Sequence, residues 1–507
     1  MKTQIVPFIG GSYEYRSRGV SVQKTLNLYP EKIESAEGKT QYSLVHTEGT
    51  ELLAEIGPDS TAACRGFWFS STGPDNQQKL YGAFGNTIYR INADYSFVKI
   101  GEIATGTGPI GIADNGFSLV VADGVALYEA DLSAADYLIS STWKQVNLPY
   151  LAGTTEPVRP SQVFFLNQRL VINSQRGEFY FSNLASTEFF ANGDVNQPNF
   201  YSAESSADAI NSMVVVGNRL WLFGERSFEV WSSSGTTDSD PFSFIQGSAS
   251  QVGCQSPRSV ATIGENVFFL GSSAAGRNTI FMASGMNTPV RISTNAIEHE
   301  LATILDPQGS VGWCYYNEGH TFYVLTFIAS ARTFVFDVST GLWHERSTRN
   351  WNTTKDEAWE ALFGVTAYNK VINGSSTSNR LIKLDSTKYT DFDGREIVRQ
   401  RIGPVYYSDL KSITCREIQV DMEVGTTPLL AGLGRDPQAI LEVSKDGGNS
   451  WVNFDWRSIG KQGDYHRIVK WSNIGAGHSI IAKLTFSDPS PITIYGMRIS
   501  FQESSRR

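Results

Sequence analysis

The sequence predicts an all-β protein: a β-propeller of about seven blades, a C-terminal β-sandwich and an N-terminal strand/loop segment. Three observations predict it. A unit of two strands separated by a Gly/Asn/Ser-rich turn recurs at a spacing of roughly 40 to 55 residues, the range of propeller blades. The composition, 41% apolar, 12% aromatic and only 18% charged with 46 glycines, suits many short buried strands joined by tight turns. Beyond about residue 396 the period stops and longer alternating strands take over.

Taken in order, residues 1–60 are irregular. Thr25-Leu-Asn-Leu-Tyr-Pro-Glu31 alternates like a strand that Pro30 should stop. Glu34 to Lys39 reads as an exposed loop, and Tyr42-Ser-Leu-Val45 as a second strand.

Blades are expected over 61–395, each marked by an aromatic-bearing strand. These are Asn86-Thr-Ile-Tyr-Arg-Ile91, Val125-Ala-Leu-Tyr-Glu-Ala130, Glu178-Phe-Tyr-Phe-Ser-Asn183 and Ser227-Phe-Glu-Val-Trp-Ser232. Asn278-Thr-Ile-Phe-Met-Ala283, Thr333-Phe-Val-Phe-Asp-Val338 and Arg380-Leu-Ile-Lys-Leu-Asp385 follow, the last aliphatic where the others are aromatic. Such a unit cannot bury its apolar face alone and must stack on its neighbours, and closing the stack into a ring leaves only short edges. Asn295-Ala-Ile-Glu298, followed by Leu301 and Ile304 on one face, predicts a short capped helix. A second helix is expected over Lys355 to Leu362.

In 396–507, Ile413 to Val424, Ile440 to Ser444, His466 to Trp471, Ser479 to Phe486, Ile492 to Tyr495 and Met497 to Phe501 make a sandwich of about a hundred residues.

At 507 residues the chain is too long for one simple core. Its net charge of −9 argues against a dedicated nucleic-acid binder, although an acidic wall lets DNA pass without sticking. Cys64, Cys254, Cys314 and Cys415 are far apart, which points to buried reduced thiols rather than disulfides. The first residues lack the apolar core of a signal peptide, and no run is long enough to cross a bilayer.

The reactive residues form no catalytic pattern, so no catalytic, cofactor or metal site is expected. Gly106-Thr-Gly-Pro-Ile-Gly111 spells GxGxxG, but Pro109 removes a phosphate-facing donor and a strand follows, so a turn is expected. Ser444-Lys-Asp-Gly-Gly-Asn-Ser-Trp451 fits the Asp-box S-x-D-x-G-x-(S/T)-W, read as a hairpin turn in which Asp446 caps amides. Asp114, Asp123, Glu178, Asp208, Glu225 and Glu229 offer carboxylates, none an evident glycosidase pair. The six histidines lack HExxH spacing. Trp68, Trp221, Trp231, Trp313 and Trp343 suit inter-blade packing better than a sugar platform.

Several segments together resemble the packaged-DNA stabilisation protein of short-tailed phages, the tail hub or nozzle family. They are Tyr201-Ser-Ala-Glu-Ser-Ser-Ala-Asp208 with Asn218 to Gly235, Arg65-Gly66 before Lys79, Pro289 to Glu298, and Pro491 to Ser500. The loops Ser71 to Gln78 and Asn350 to Trp359 are longer than that family leads one to expect. The resemblance implies a non-enzymatic virion tail protein, assembled in the host cytoplasm into a hexameric ring. Its implied partners are the head-to-tail adaptor, a tailspike or tail fibre and a needle or plug, with DNA passing through unbound and no membrane. The other reading is a carbohydrate-binding or sialidase-like propeller.

Overall fold

The computed structural model describes residues 2–35, 38–70, 78–135, 137–194, 196–203, 208–235, 240–273, 276–285, 288–408 and 411–503. Seven antiparallel sheets follow one another around an axis, and each begins with a strand that packs near the centre. The first four blades start at Cys64–Ser70, Gly111–Asp114, Val163–Leu166 and Ser212–Val216, and each is a four-stranded meander. In blade five the inner strand is split: Val252–Cys254 and Ala261–Ile263 both pair with Asn266–Ser273, around the 3-10 turn Pro257–Ser259. Blade six starts at Val311–Asn317 and blade seven at Ala361–Ala367. The aromatic-bearing segments of the sequence are the third strands of the blades, for instance Thr87–Ile91, Phe228–Ser233 and Arg332–Asp337.

Third strands carry the aromatics because their rings fill the wedge between neighbouring sheets. Phe179 sits edge-on to Trp231 at 5.3 Å between blades three and four, and second strands add to the wedge where Phe268 stacks on Tyr323 at 5.0 Å between blades five and six. Each pair of adjacent blades encloses its own apolar cluster. Ile88 with Leu119 joins blades one and two, Leu127 with Ile172 joins two and three, and Val324 with Ile382 joins six and seven. The seventh cluster closes the ring, setting Ala367, Ile372 and Leu381 against Cys64, Leu80 and Ile91. Glycine is required at this seam: a Cβ on Gly374 would lie 2.2 Å from the Cβ of Cys64. The Tyr368 hydroxyl accepts from Leu80 N at 3.0 Å and donates to Ile91 O at 2.7 Å, so blade seven also grips the backbone of blade one.

The outer strand of blade seven comes from the other end of the sequence. Gly49–Glu55 pairs antiparallel with Arg380–Asp385, Thr50 opposite Leu384 and Leu52 opposite Ile382. Thr50 Oγ1 then donates to Asp391 and accepts from Phe392 N at 2.9 Å, which fixes the strand's register.

Residues N-terminal to that strand belong to the sandwich. One sandwich sheet runs Leu28–Lys32, Tyr42–His46, Thr493–Glu503, Ile413–Met422, Val469–Gly477, with Lys2–Val6 also on Thr493–Glu503. The other contains Val22–Leu26, Arg399–Ile402, Ser479–Phe486 and Gln438–Ser444, and it does not end there. Leu26 pairs in parallel with Glu345 on the outer strand of blade six, so blade six and this sheet form one continuous sheet. Ile418, Val420, Leu441, Trp471, Leu484 and Phe501 fill the sandwich core.

Four local expectations need correction. Lys355–Ala358 is a strand paired with Leu342–Asn350, not a helix, because cross-strand pairing outweighed its local spacing. Pro30 does not stop a strand. The break is at Asn27, whose φ of 51° turns the chain, and Pro30 lies within Leu28–Lys32, an edge strand where its missing N–H costs no ladder bond. The helix Asn295–Leu301 is present, but Thr294 caps it, accepting from Ile297 N at 3.3 Å, while Glu298 pairs with Arg291. Ile492–Tyr495 and Met497–Phe501 form one strand, Thr493–Glu503, bent by a bulge opposite Asp421 and Met422.

Candidate functional site

The six carboxylates named from the sequence are spread over blades two, three and four, and those whose bonds are resolved hold mainly their own turns and strands. Asp114 accepts from Gly116 N at 2.9 Å and from the Trp68 indole. Asp123 accepts from Val125 N and Ala126 N at 2.9 and 2.8 Å, and Glu178 accepts from Ser174 Oγ. Glu229 accepts from Trp231 Nε1 at 2.8 Å, and Glu225 lies in the blade-four hairpin turn. These acids shape turns and hairpins instead of facing a common substrate.

Asp208 explains part of a motif that sequence alone left as a pattern. It accepts from Arg226 N at 3.0 Å and Ser227 Oγ at 3.4 Å, capping the hairpin turn of blade four. Residues 204–207 of the same motif lie outside the described residues. Gly224 is needed because a Cβ there would lie 2.6 Å from the Cβ of Asp208. Gly224→Ala should therefore destabilise by about 1–3 kcal/mol through overpacking, read as a lower thermal midpoint.

Gly106 to Gly111 is the turn between blades one and two. Arg65 donates to two of the turn's carbonyls, Thr107 O and Gly108 O, and to the preceding Thr105 O. Arg258, carried inward by the split strand of blade five, reaches across the axis to Pro109 O, Ile110 O and Ser161 O at 3.2, 3.1 and 2.6 Å. Burial, with Arg65 nearby, lowers its guanidinium to about 10. One side chain thus ties blades two, three and five together at the propeller's centre, so the propeller axis there is a packed strut.

The Asp-box lies in the sandwich and behaves as a turn. Asp446 accepts from Asn449 N and Ser450 N at 3.0 and 2.9 Å, with Gly447 and Gly448 at φ 75° and 91°. The Ser450 hydroxyl, which also donates to Asp446, together with these amides holds its carboxyl well below the usual range. Trp221, Trp231, Trp313 and Trp343 are buried in inter-blade clusters, and Trp68 packs against one. All four cysteines are free thiols, and burial pushes those of Cys64, Cys254 and Cys415 up to about 12. Among the described residues no group of His, Cys, Asp and Glu is placed to hold a metal ion, and no helix is long and apolar enough to cross a membrane.

The most heavily built polar region is the joint between propeller and sandwich, which the sequence did not reveal. Glu48 and Arg346 form a buried ion pair at 2.7 Å, with side chains 3% and 2% exposed. Arg346 also donates to Glu48 O at 2.7 Å and stacks 3.6 Å above the Trp359 ring. Nearby, Arg401 uses its whole fork on Phe8 O, Gly11 O, Thr25 Oγ1 and Gln23 Oε1, lashing the N-terminal segment to the sandwich; burial lowers it to about 9.

His344 lies in the same joint, 1% exposed, and neither ring nitrogen has a partner among the described residues. Burial, reinforced by Arg346, depresses it to about 3. Folded His344 stays neutral where the unfolded chain takes up a proton, so its contribution is intact above pH 6.5 and is lost as pH falls from 6.5 towards 3. One pH unit corresponds to about 1.4 kcal/mol, so roughly 2 kcal/mol should be gone by pH 5. His46, lowered to about 4 by burial, adds in the same direction, and His320, raised by its bond to Asp337, partly offsets both. Thermal midpoints from pH 7.5 to 5 should fall, and His344→Leu should flatten the slope.

A family model described as "Bacteriophage P22 Gp10, beta-propeller" matches residues 4–389, and a second, "Bacteriophage P22 Gp10, beta-sandwich", matches residues 398–502. Among solved structures, the N-terminal domain of Nup159 is 12% identical, with 71% of this chain and 99% of that one covered at a TM-score of 0.39. The WD40 propeller of Doa1 is 10% identical, with 66% and 96% covered at 0.38. No curated protein sequence matches. The first match also takes in the N-terminal strands that pair into the sandwich sheets, but the two matches run in order over nearly the whole chain, and with both matched this chain belongs to the Bacteriophage P22 Gp10 family of phage structural proteins.

Proposed function

We propose that this chain is the tail hub, or nozzle subunit, of a short-tailed phage. Six copies form a ring below the head-to-tail adaptor, lengthen the DNA channel, retain the packaged genome, and offer surfaces to tailspikes or fibres and to a distal needle or plug. The observation that carries this reading is the match of both family models, in order, over nearly the whole chain. Its construction supports the role. A propeller closed by seven inter-blade cores and fused to a sandwich through a shared sheet is a stiff block with broad lateral faces. Identical stiff blocks joined head to tail close into a ring when the rotation permits. The net charge of −9 suits a channel wall that phosphate slides past. The carboxylates that a glycosidase would need are occupied in turns, which favours this structural role over catalysis.

Native mass spectrometry of the full chain mixed with its phage's adaptor tests the reading. Six-copy assemblies are expected, together with duplex-DNA binding that stays weak and shows little salt dependence. Persistent monomers, or tight salt-sensitive DNA binding, would contradict it.

A further inference from the structure

We propose that the cleft between blades six and seven binds a neutral oligosaccharide. The cleft has a volume of about 610 Å³, within the usual span of ligand sites. One wall is the ribbon in which Leu342–Asn350 turns back into Lys355–Ala358, and the other is the turn Ser376 to Asn379 of blade seven. The turn of the ribbon carries Trp351 and Asn352 into the lining of the cleft.

Charge selects against an ionic ligand. Arg349, Arg380 and Arg395 line the cleft with Glu55, Glu357 and Glu360, three of each sign. The three arginines are already paired: Arg395 with Glu360 at 2.8 Å, Arg380 with Asp393 at 3.0 Å, and Arg349 with Asp356 at 2.8 Å. A phosphate or sulfate would find no unbalanced cation there. The pairs also hold the polar wall in place before any ligand arrives, which lowers the ordering cost of binding.

Two further features name the ligand's chemistry. Trp351 projects an indole that is 44% exposed, with the Arg349 guanidinium 5.9 Å from the ring centre. An exposed indole offers the apolar face of a sugar ring a flat surface. Asn379 lines the cleft and is 3% exposed; its Nδ2 donates to Gly57 O at 3.0 Å, but its Oδ1 has no partner among the described residues. Arg349 Nε is a buried donor that likewise has no partner. A buried acceptor lacking a donor and a buried donor lacking an acceptor are both satisfied by hydroxyl groups once a small side-chain shift opens them to the cleft. Stacked ring, hydroxyl network and cancelled charge together describe a neutral glycan.

The test is an array of neutral and anionic oligosaccharides probed with the full chain, followed by calorimetric titration of any glycan retained. At least one neutral glycan should bind. Trp351→Ala, and separately Thr377→Trp, which fills the cleft from an exposed position, should each weaken binding about tenfold or more. Both variants should keep the parent's circular dichroism spectrum. Failure of every neutral glycan to bind would overturn the proposal, as would a preference for anionic glycans, binding unchanged in both variants, or occupation of the cleft by an extended peptide instead.

Discussion

A chain beginning at residue 61 should fail to fold into a soluble, cooperatively melting protein. It lacks Gly49–Glu55, so blade seven loses its outer strand and Arg380–Asp385 is left with an open ladder along Leu381, Ile382 and Leu384. Leu381 and Ile382 are fully buried in two different inter-blade clusters, one of them the cluster that closes the ring. The same cut removes Val22–Leu26, the strand joining blade six to the sandwich sheet, and Lys2–Val6 and Tyr42–His46 from the opposite sheet. Exposed apolar edges of this kind pair with other chains and aggregate. Supplying residues 1–60 as a separate polypeptide during refolding should restore part of the soluble yield. A truncated chain that stays soluble and melts in one transition at the parent's midpoint would show that closure does not depend on the N-terminal strands.

Glu48→Ala should destabilise the protein by about 3–5 kcal/mol, the usual consequence of leaving a buried charge without its partner. Arg346 would keep Tyr315 and Trp359 as neighbours, but its carboxylate would be gone and no water could easily reach it. Glu48 immediately precedes the strand that closes the ring, so the pair also locks that strand to blade six. Converting both residues at once, Glu48→Leu with Arg346→Met, should recover much of the loss, because a buried ion pair contributes little over apolar side chains of similar volume. The readout is the unfolding rate at a fixed temperature, which stays defined whether or not unfolding is reversible. If the single variant unfolded no faster than the parent, the joint would not be held by this pair.

The parts of the fold that were legible in the sequence are those decided by local pattern. The third strands show because all but that of blade seven place rings in a wedge between sheets, which enforces alternation and aromatic content within a few residues. The Asp-box showed for the same reason: Asp446, Gly447 and Gly448 make one turn from adjacent positions. Features that depend on distant partners did not show. Gly49–Glu55 carries no mark of a partner more than 320 residues away, and Glu48 gives no sign of Arg346. Lys355–Ala358 was misread because its apolar spacing also fits a helix, while its strand state depends on Leu342–Asn350 lying alongside. The cleft was hidden because Trp351, Asn379 and Arg395 come from three separate turns.

Hydrogen–deuterium exchange followed by mass spectrometry tests the central claim, that both ends of the chain complete one closed ring and its attached sandwich. Amides of Gly49–Glu55 and Val22–Leu26 should exchange as slowly as those of Arg380–Asp385 and Arg399–Ile402, their ladder partners. Rapid exchange across residues 22–55 while blades one to six stay protected would mean that the ring closes without them, and the account would fall.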